Sequence, residues 1–186
     1  MVSGITPEQF QKNAWNTRKV AAALFPEEEW VLKETNIYVA KSRLSEEFDE
    51  INKWNKEIAQ VRILTSRGNV AYFLPEQKTQ AQMYADTVIN GEVVELKTVS
   101  GNRSTLGSDF RQGYKQGAAI IRGRSDIQEH SVFIRLLSNL EVDSVRAKIA
   151  GELKVRTGKG HFICYFEIIS KLFTWTFDEL RAIIHK

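Results

Sequence analysis

Residues 84–89 and 92–99 are two runs rich in strand-forming residues, separated by Asn90-Gly91. A two-residue Asn-Gly connection is the strongest short-range hairpin signal, because both positions accept positive φ and the type I′ turn matches the twist of its strands. A chain that carries this hairpin has to build a sheet around it. The turn also dictates a register. Ile89 pairs with Glu92, so Asp86 is expected opposite Glu95, and Lys97 shares the face of Glu95 because side chains alternate along a strand. Thr87, Ile89, Val94, Leu96 and Thr98 then make a core-like opposite face.

The rest of the chain alternates between helical and extended patterns. Thr6-Pro7-Glu8-Gln9 is a helix start, with a capping hydroxyl, proline at the first helical position and glutamine three residues after the cap. Phe10, Ala14, Thr17, Ala21 and Leu24 recur at helical spacing until Pro26. Glu27, Glu28 and Glu29 read as a solvated connector or a short acidic helix start. A second helix is expected after Ser45, running to about Ser66 and stopping before Gly68. Residues 70–74 form a short apolar strand ended by Pro75. Residues 107–118 suit a helix despite Gly113 and Gly117, 131–137 a buried strand, 141–153 a helix and 161–168 a strand. Thr176-Phe177-Asp178-Glu179 is a capping box that opens a terminal helix. With no repeat, low-complexity stretch or linker, the expectation is one mixed α/β domain. Residues 1–44 would be an N-terminal helical segment and 45–186 the main domain.

Composition narrows the function classes. No apolar run approaches the roughly 20 residues that cross a bilayer, so no membrane span is expected. The opening MVSGITPEQFQKN lacks a signal peptide's apolar stretch. The lone Cys164 excludes an intramolecular disulfide framework, suits a reducing compartment, and sits in an apolar strand as a small hydrophobe. The net charge of +3 hides an asymmetry. Residues 1–99 hold 12 Lys+Arg against 14 Asp+Glu, net −2, and residues 100–186 hold 14 against 9, net +5. A basic half suits a protein that meets polyanions with one face, although unplanned surface charge would look the same.

Two carboxylates directly opposite on a hairpin have Cβ atoms about 5 Å apart and repel. A divalent cation compensates naturally, because Mg²⁺ takes hard oxygen ligands and few protein carboxylates. Lys97 would then stand beside the metal, placed to hold an attacking water or to balance charge on a phosphate. The structural alternative is a surface salt-bridge cluster in which Lys97 neutralises its neighbours. A third carboxylate adds to the first reading. On the helix after Ser45, Ile51, Trp54, Ile58, Val61 and Leu64 define an apolar stripe, and Glu57 falls inside it. A charge on a buried face is costly unless paired or bound to a cation. Glu50 lies on nearly the same line and is the rival, nearer the exposed helix start.

A helical glutamate, an apolar strand, then Asp and Glu-x-Lys on the next hairpin resembles the PD-(D/E)XK nuclease superfamily. The segments Asn55-Lys56-Glu57-Ile58-Ala59-Gln60, Tyr72-Phe73-Leu74-Pro75-Glu76 and Ala85-Asp86-Thr87-Val88-Ile89-Asn90-Gly91-Glu92-Val93-Val94-Glu95-Leu96-Lys97-Thr98 look closer to one branch. That branch is the C-terminal toxin domains of contact-dependent growth inhibition systems and related phage-borne toxins, several of which cleave tRNA. Leu172-Phe173-Thr174-Trp175-Thr176 before a capped helix also looks like these domains. The resemblance spans roughly residues 45–180 by element order, with its specific motif confined to residues 55–98. It implies a restriction-endonuclease-like mixed central sheet flanked by helices. It implies Asp86 and Glu95 as metal ligands, Lys97 as the water-orienting or charge-stabilising group, and Glu57 as the helical carboxylate that completes the catalytic site. The metal would be Mg²⁺ or another divalent cation such as Mn²⁺ or Zn²⁺. The literal proline before the aspartate is replaced by Ala85, at a position that varies in the superfamily. The resemblance further implies a tRNA substrate, action in the cytoplasm of a target cell after delivery within a larger secreted or phage-borne protein, and a cognate immunity protein, acidic where it covers the basic face. A DNA endonuclease of the same fold and a non-catalytic nucleic-acid-binding module are the alternatives.

Candidates for substrate contact follow the hairpin. Residues 100–108 read as a flexible polar loop from which Arg103 can reach a phosphate. On the next helix Gln112 and Gln116 share a face with Arg111 and Lys115 beside them, which suits a nucleic-acid backbone as well as an ordinary solvated face. Arg122, Arg124 and residues 154–159 add further cations. A metal-free ribonuclease scheme would use His161 as general base near Arg156 and Lys159, but no second acid or base stands at a matching spacing. His130 and His185 read as loop and terminus residues, and the four tryptophans as core rather than base-stacking platforms. No Walker motif, dinucleotide fingerprint or paired Cys-x-x-Cys zinc signature is present.

Overall fold

The capping box at Thr6 launches α1 (Pro7–Leu24) in the computed structural model, with Thr6 and Gln9 exchanging side-chain and backbone hydrogen bonds. The structure describes residues 5–44, 48–76 and 85–183, without the side chains of 48–53. Glu50, Ile51 and Tyr84, which entered the sequence reading, therefore lie outside the described side chains. The elements after α1 are β1 (Trp30–Glu34), β2 (Ile37–Ala40), a 3₁₀ turn at Lys41–Arg43, α2 (Phe48–Thr65), β3 (Ala71–Phe73), β4 (Thr87–Ile89) and β5 (Glu92–Val99). Then come α3 (Arg103–Ile120), β6 (His130–Leu136), α4 (Val142–Leu153), β7 (His161–Phe166), β8 (Lys171–Thr176) and α5 (Phe177–Ala182). The protein is mixed α/β, and its described strands form one mixed sheet in chain order, β1 to β8. No helix among the described residues is long and apolar enough to cross a membrane.

Internal contacts divide the chain into two units, Met1–Gln80 with Asp86–Val93 and Ala81–Ala85 with Val94–Lys186. In the first, β1 and β2 form an antiparallel hairpin, β2 runs parallel to β3, and β3 runs antiparallel to β4. The β1–β2 hairpin has no counterpart in the sequence reading, which assigned no strand before residue 70. Its strands are short, β1 is largely exposed, and the turn residue Asn36 carries φ 65°, so neither alternation nor a glycine marks it. Helix α1 buries Thr17 and Ala21, and the Thr17 hydroxyl donates to Asn13 O at 2.6 Å and accepts from Gly91 N at 2.9 Å. That bond bolts α1 to the expected hairpin turn, whose Asn90 and Gly91 have φ 53° and 80° as a type I′ turn requires. Helix α2 buries Ile58, Val61 and Leu64, and Trp54 lies against Phe73.

In the second unit β6 and β7 run parallel and β8 pairs antiparallel with β7. Phe110, Ile134, Ile149, Phe162, Phe177 and their neighbours form its core. Cys164 is buried here as expected, and burial pushes its thiol well above the ordinary range. The Thr176–Glu179 capping box is present, and the hydrogen bonds it supplies hold the Glu179 carboxyl below its usual range. Three expectations change. Residues 103–108 are the first turns of α3 rather than a loop, because Asn102 accepts from Ser104 N and Thr105 N and starts the helix earlier. Gly113 and Gly117 do not weaken α3. A Cβ at Gly113 would lie 3.0 Å from Val132 Cγ1, and one at Gly117 would lie 2.7 Å from His130 Nδ1, so these glycines let the helix approach the sheet. His130 is no loop residue: it opens β6 with its ring buried edge-on to Tyr114 and Phe177.

Candidate functional site

The sequence placed a carboxylate inside the apolar stripe of α2, where it needs a partner or a cation unless it lies at a partly exposed helix edge. Glu57 does occupy that position, and its cation is Arg43, whose Nη2 lies 2.5 Å from Glu57 Oε2. Arg43 sits in the 3₁₀ turn with its side chain only 5% exposed. Its guanidinium lies 5.1 Å from the Trp54 ring centroid and 5.2 Å from that of Phe73. Nη1 donates to the carbonyls of Leu74 at 3.1 Å and Asp86 at 3.3 Å, and Glu76 stands 3.8 Å from Nη2. Only a planar fork can serve a carboxylate and two carbonyls while stacked on aromatics. Sequence reasoning missed Arg43 altogether, because a 3₁₀ turn has no periodicity to mark an inward-facing position.

Asp86 lies in a bend one residue before β4, not inside a longer strand. Its carbonyl also accepts from Leu74 N at 2.9 Å, which extends the β3–β4 pairing by one step beyond Phe73 and Thr87. The main chain at Asp86 is thus fixed by a ladder bond and by a buried guanidinium.

Removing the Arg43 guanidinium takes a buried cation from Glu57 and two carbonyls, so Arg43→Ala should cost about 3–5 kcal/mol. Arg43→Lys keeps the charge without the fork and should recover less than half of that. In a cycle with Glu57→Ala, urea unfolding should give a double mutant less destabilised than the sum of the singles by at least about 1 kcal/mol. Additive losses would show that the two groups are not coupled.

The second unit assembles the other group of candidates. Glu95 is 1% exposed on a stretch of β5, Val93–Leu96, that is buried on both faces, as a central strand covered on two sides must be. The expected core-like face is therefore incomplete: Thr98 is exposed while Val93 and Glu95 are buried. Lys97 Nζ lies 2.6 Å from Glu95 Oε1 and donates to Gln116 Oε1 at 2.8 Å. Gly113 lets α3 come close enough for this contact, since a Cβ there would meet Glu95 Cγ at 3.2 Å. The result is a lysine of limited exposure, held by Glu95 on its own strand and by Gln116 on α3. The outcome differs from a surface salt-bridge cluster in one decisive respect: the carboxylate is buried.

Of the five proposed substrate contacts, Arg103, Arg111, Gln112 and Lys115 are exposed along α3. Gln116 is buried and turned to Lys97, so it steadies the lysine rather than presenting itself to solvent. Arg111 is partly committed, 3.4 Å from Glu152, which Lys148 also meets at 2.9 Å. His161 lies partly buried at the start of β7, its backbone N donating to Ser131 Oγ. Among the described residues no group of three or more His, Cys, Asp and Glu side chains converges. An ion bound by two carboxylates needs no such group, because Mg²⁺ retains waters and takes substrate oxygens.

No family model and no curated protein matches this sequence. The fold is similar to a chain of the CdiA-CT/CdiI toxin and immunity complex from Burkholderia pseudomallei, at 15% identity over 71% of this chain and 89% of that chain, with a TM-score of 0.44.

Proposed function

We propose that this protein is a metal-dependent nuclease with a restriction-endonuclease-like core, hydrolysing phosphodiester bonds in tRNA as a toxin delivered into a target cell. The observation that carries the reading is Lys97, held between a buried Glu95 and Gln116 two positions after that carboxylate on one strand. In this reading Asp86 and Glu95, which the Asn90-Gly91 turn is expected to set opposite each other, would hold a divalent cation, and Glu57, paired with Arg43, would be the helical carboxylate of the motif. Their donors are all hard oxygen, which suits Mg²⁺ or Mn²⁺ better than Zn²⁺. The cation, when bound, supplies an activated water and offsets charge that develops on the scissile phosphate.

The chain's own residues do the rest. Lys97 would place its ammonium charge beside the water or a phosphate oxygen, and Gln116 keeps the ammonium from turning away. Arg43 keeps the Asp86 main chain in place. Arg103, Arg111, Gln112 and Lys115 contact the phosphate backbone, so binding weakens steeply with salt. The basic character of residues 100–186 supports this and calls for an acidic immunity protein in the producing cell.

The test is incubation with total tRNA and with plasmid DNA, in Mg²⁺ or EDTA, using wild type and Asp86→Ala. The expected result is cutting of tRNA in Mg²⁺ that falls to the EDTA background in the variant. Cutting of plasmid alone would reassign the substrate to DNA. Cleavage that survives EDTA and the substitution would remove the metal and bring His161 forward. Binding without cleavage would leave a non-catalytic nucleic-acid module.

A further inference from the structure

The four tryptophans read as core from sequence, and one of them is not. Trp15 is 62% exposed. The other three are half-buried and have ring partners: Trp30 stands edge-on to Tyr72, Trp54 against Phe73, and Trp175 stacked on Phe162 and Phe173. The Trp15 ring meets no aromatic partner among the described residues; Lys19 Nζ lies 5.1 Å from its centroid.

Trp15 is also no overhang from the core edge of α1. At about 100° per residue, Glu8, Gln11, Lys12, Trp15, Arg18, Lys19 and Ala22 fall in one arc, and all of them are exposed. The buried Thr17 and Ala21 lie on the other side. An indole thus stands in the middle of a solvent face, ringed by three cations. Among the described residues none of the three forms an ion pair. The helix carries a single acid, Glu8 in its first turn. Two copies of this face would oppose like charges. A strand of nucleic acid complements the part of it beyond Glu8: a base offers a π-face to the indole and phosphates meet the cations. Lys12 and Lys19, seven residues apart, span about 10 Å along the axis, enough to straddle a stacked nucleotide.

We propose that α1 is a docking platform for a single-stranded segment of nucleic acid, with Trp15 stacking an unpaired base and Lys12, Arg18 and Lys19 holding the flanking phosphates. This rests on the nucleic-acid reading above but on residues outside its proposed catalytic group. Sequence preference at such a platform is weak, because every base has a π-face.

Binding of fluorescent oligouridylate and oligothymidylate to the full chain in EDTA, where metal-dependent cleavage cannot proceed, tests the proposal by anisotropy. Trp15→Ala should weaken binding about 5- to 150-fold, and Trp15→Phe should retain most of it. Changing Lys12, Arg18 and Lys19 together to alanine should reduce the slope of log K against log salt by about 2. Thermal unfolding of Trp15→Ala should lie within a few degrees of wild type, since the ring is largely exposed and stands outside the core. Oligouridylate bound more tightly than oligothymidylate assigns the platform to RNA, and the reverse assigns it to DNA. Unchanged affinity for both in Trp15→Ala overturns the proposal. A self-association that Trp15→Ala abolishes, with nucleic-acid binding unaltered, would make the face a protein interface. A chain that binds through Trp15 and cuts nothing keeps this inference and sinks the nuclease reading. One that cuts tRNA with Trp15 irrelevant to binding does the opposite.

Discussion

Lys97→Met should lower turnover on tRNA about a thousandfold while leaving RNA binding in EDTA almost unchanged. The methionine keeps the four-atom stem of the side chain and removes the ammonium that Glu95 and Gln116 hold. Groups that stabilise developing charge in a site of low dielectric are worth about 10²–10³ in rate, and proton handling by the same group adds to that. The substitution also breaks a buried pair, which costs about 3–5 kcal/mol, so turnover belongs at a temperature where both proteins are shown to be folded. Lys97→Arg is the informative companion. It restores the charge, but a planar fork does not fit where a point charge is held from two sides. It should repair stability more than turnover. Turnover of Lys97→Met within a few-fold of wild type would end the catalytic reading of this lysine.

Gly160→Ala should prevent stable folding, or cost more than about 4 kcal/mol, the extreme of single-residue effects. Gly160 has φ 142°, and a Cβ there would stand 1.8 Å from the carbonyl oxygen of His130. Nothing flexible can yield, because that oxygen is backbone. The site is also a junction: Gly160 O accepts from Phe177 N at the start of α5, and Lys159 O accepts from His130 N at the start of β6. The same chemical change at Gly151 should have the opposite sign. Gly151 is an exposed position of α4 between the buried Ala150 and Glu152, with nothing within 4 Å of its added Cβ, so alanine should stabilise by about 0.5–1 kcal/mol. Urea titration of the two variants side by side checks both, and equal effects would contradict the packing described for Gly160.

What could be seen in advance divides along physical lines. The hairpin turn and both capping boxes were legible because each is a local device, set by neighbouring residues with definite backbone demands. The burial of Glu57 was legible as a conflict between charge and periodicity, but not its resolution. The cation that answers it comes from Arg43, 14 positions away in a turn of no pattern. Gln116 was misjudged for a related reason. Helical spacing groups it with Gln112, yet it lies at the boundary where α3 meets the sheet, and only the approach allowed by Gly113 and Gly117 decides which glutamine is buried. Trp15 reversed an expectation drawn from residue type alone. Its neighbours on the helical wheel already included Lys12, Arg18 and Lys19, so the exposed face was there to be read.

The hydroxyl that joins Thr17 to Gly91 spans 74 positions of chain. Helix α1 has its own capping box and can form as soon as it is synthesised, but the turn on which it docks is made much later. Closing so long a loop is entropically costly before any contact rewards it, and such non-local pairings slow folding. A chain that enters a compartment N-terminus first therefore presents α1 as an undocked amphipathic segment until the hairpin arrives.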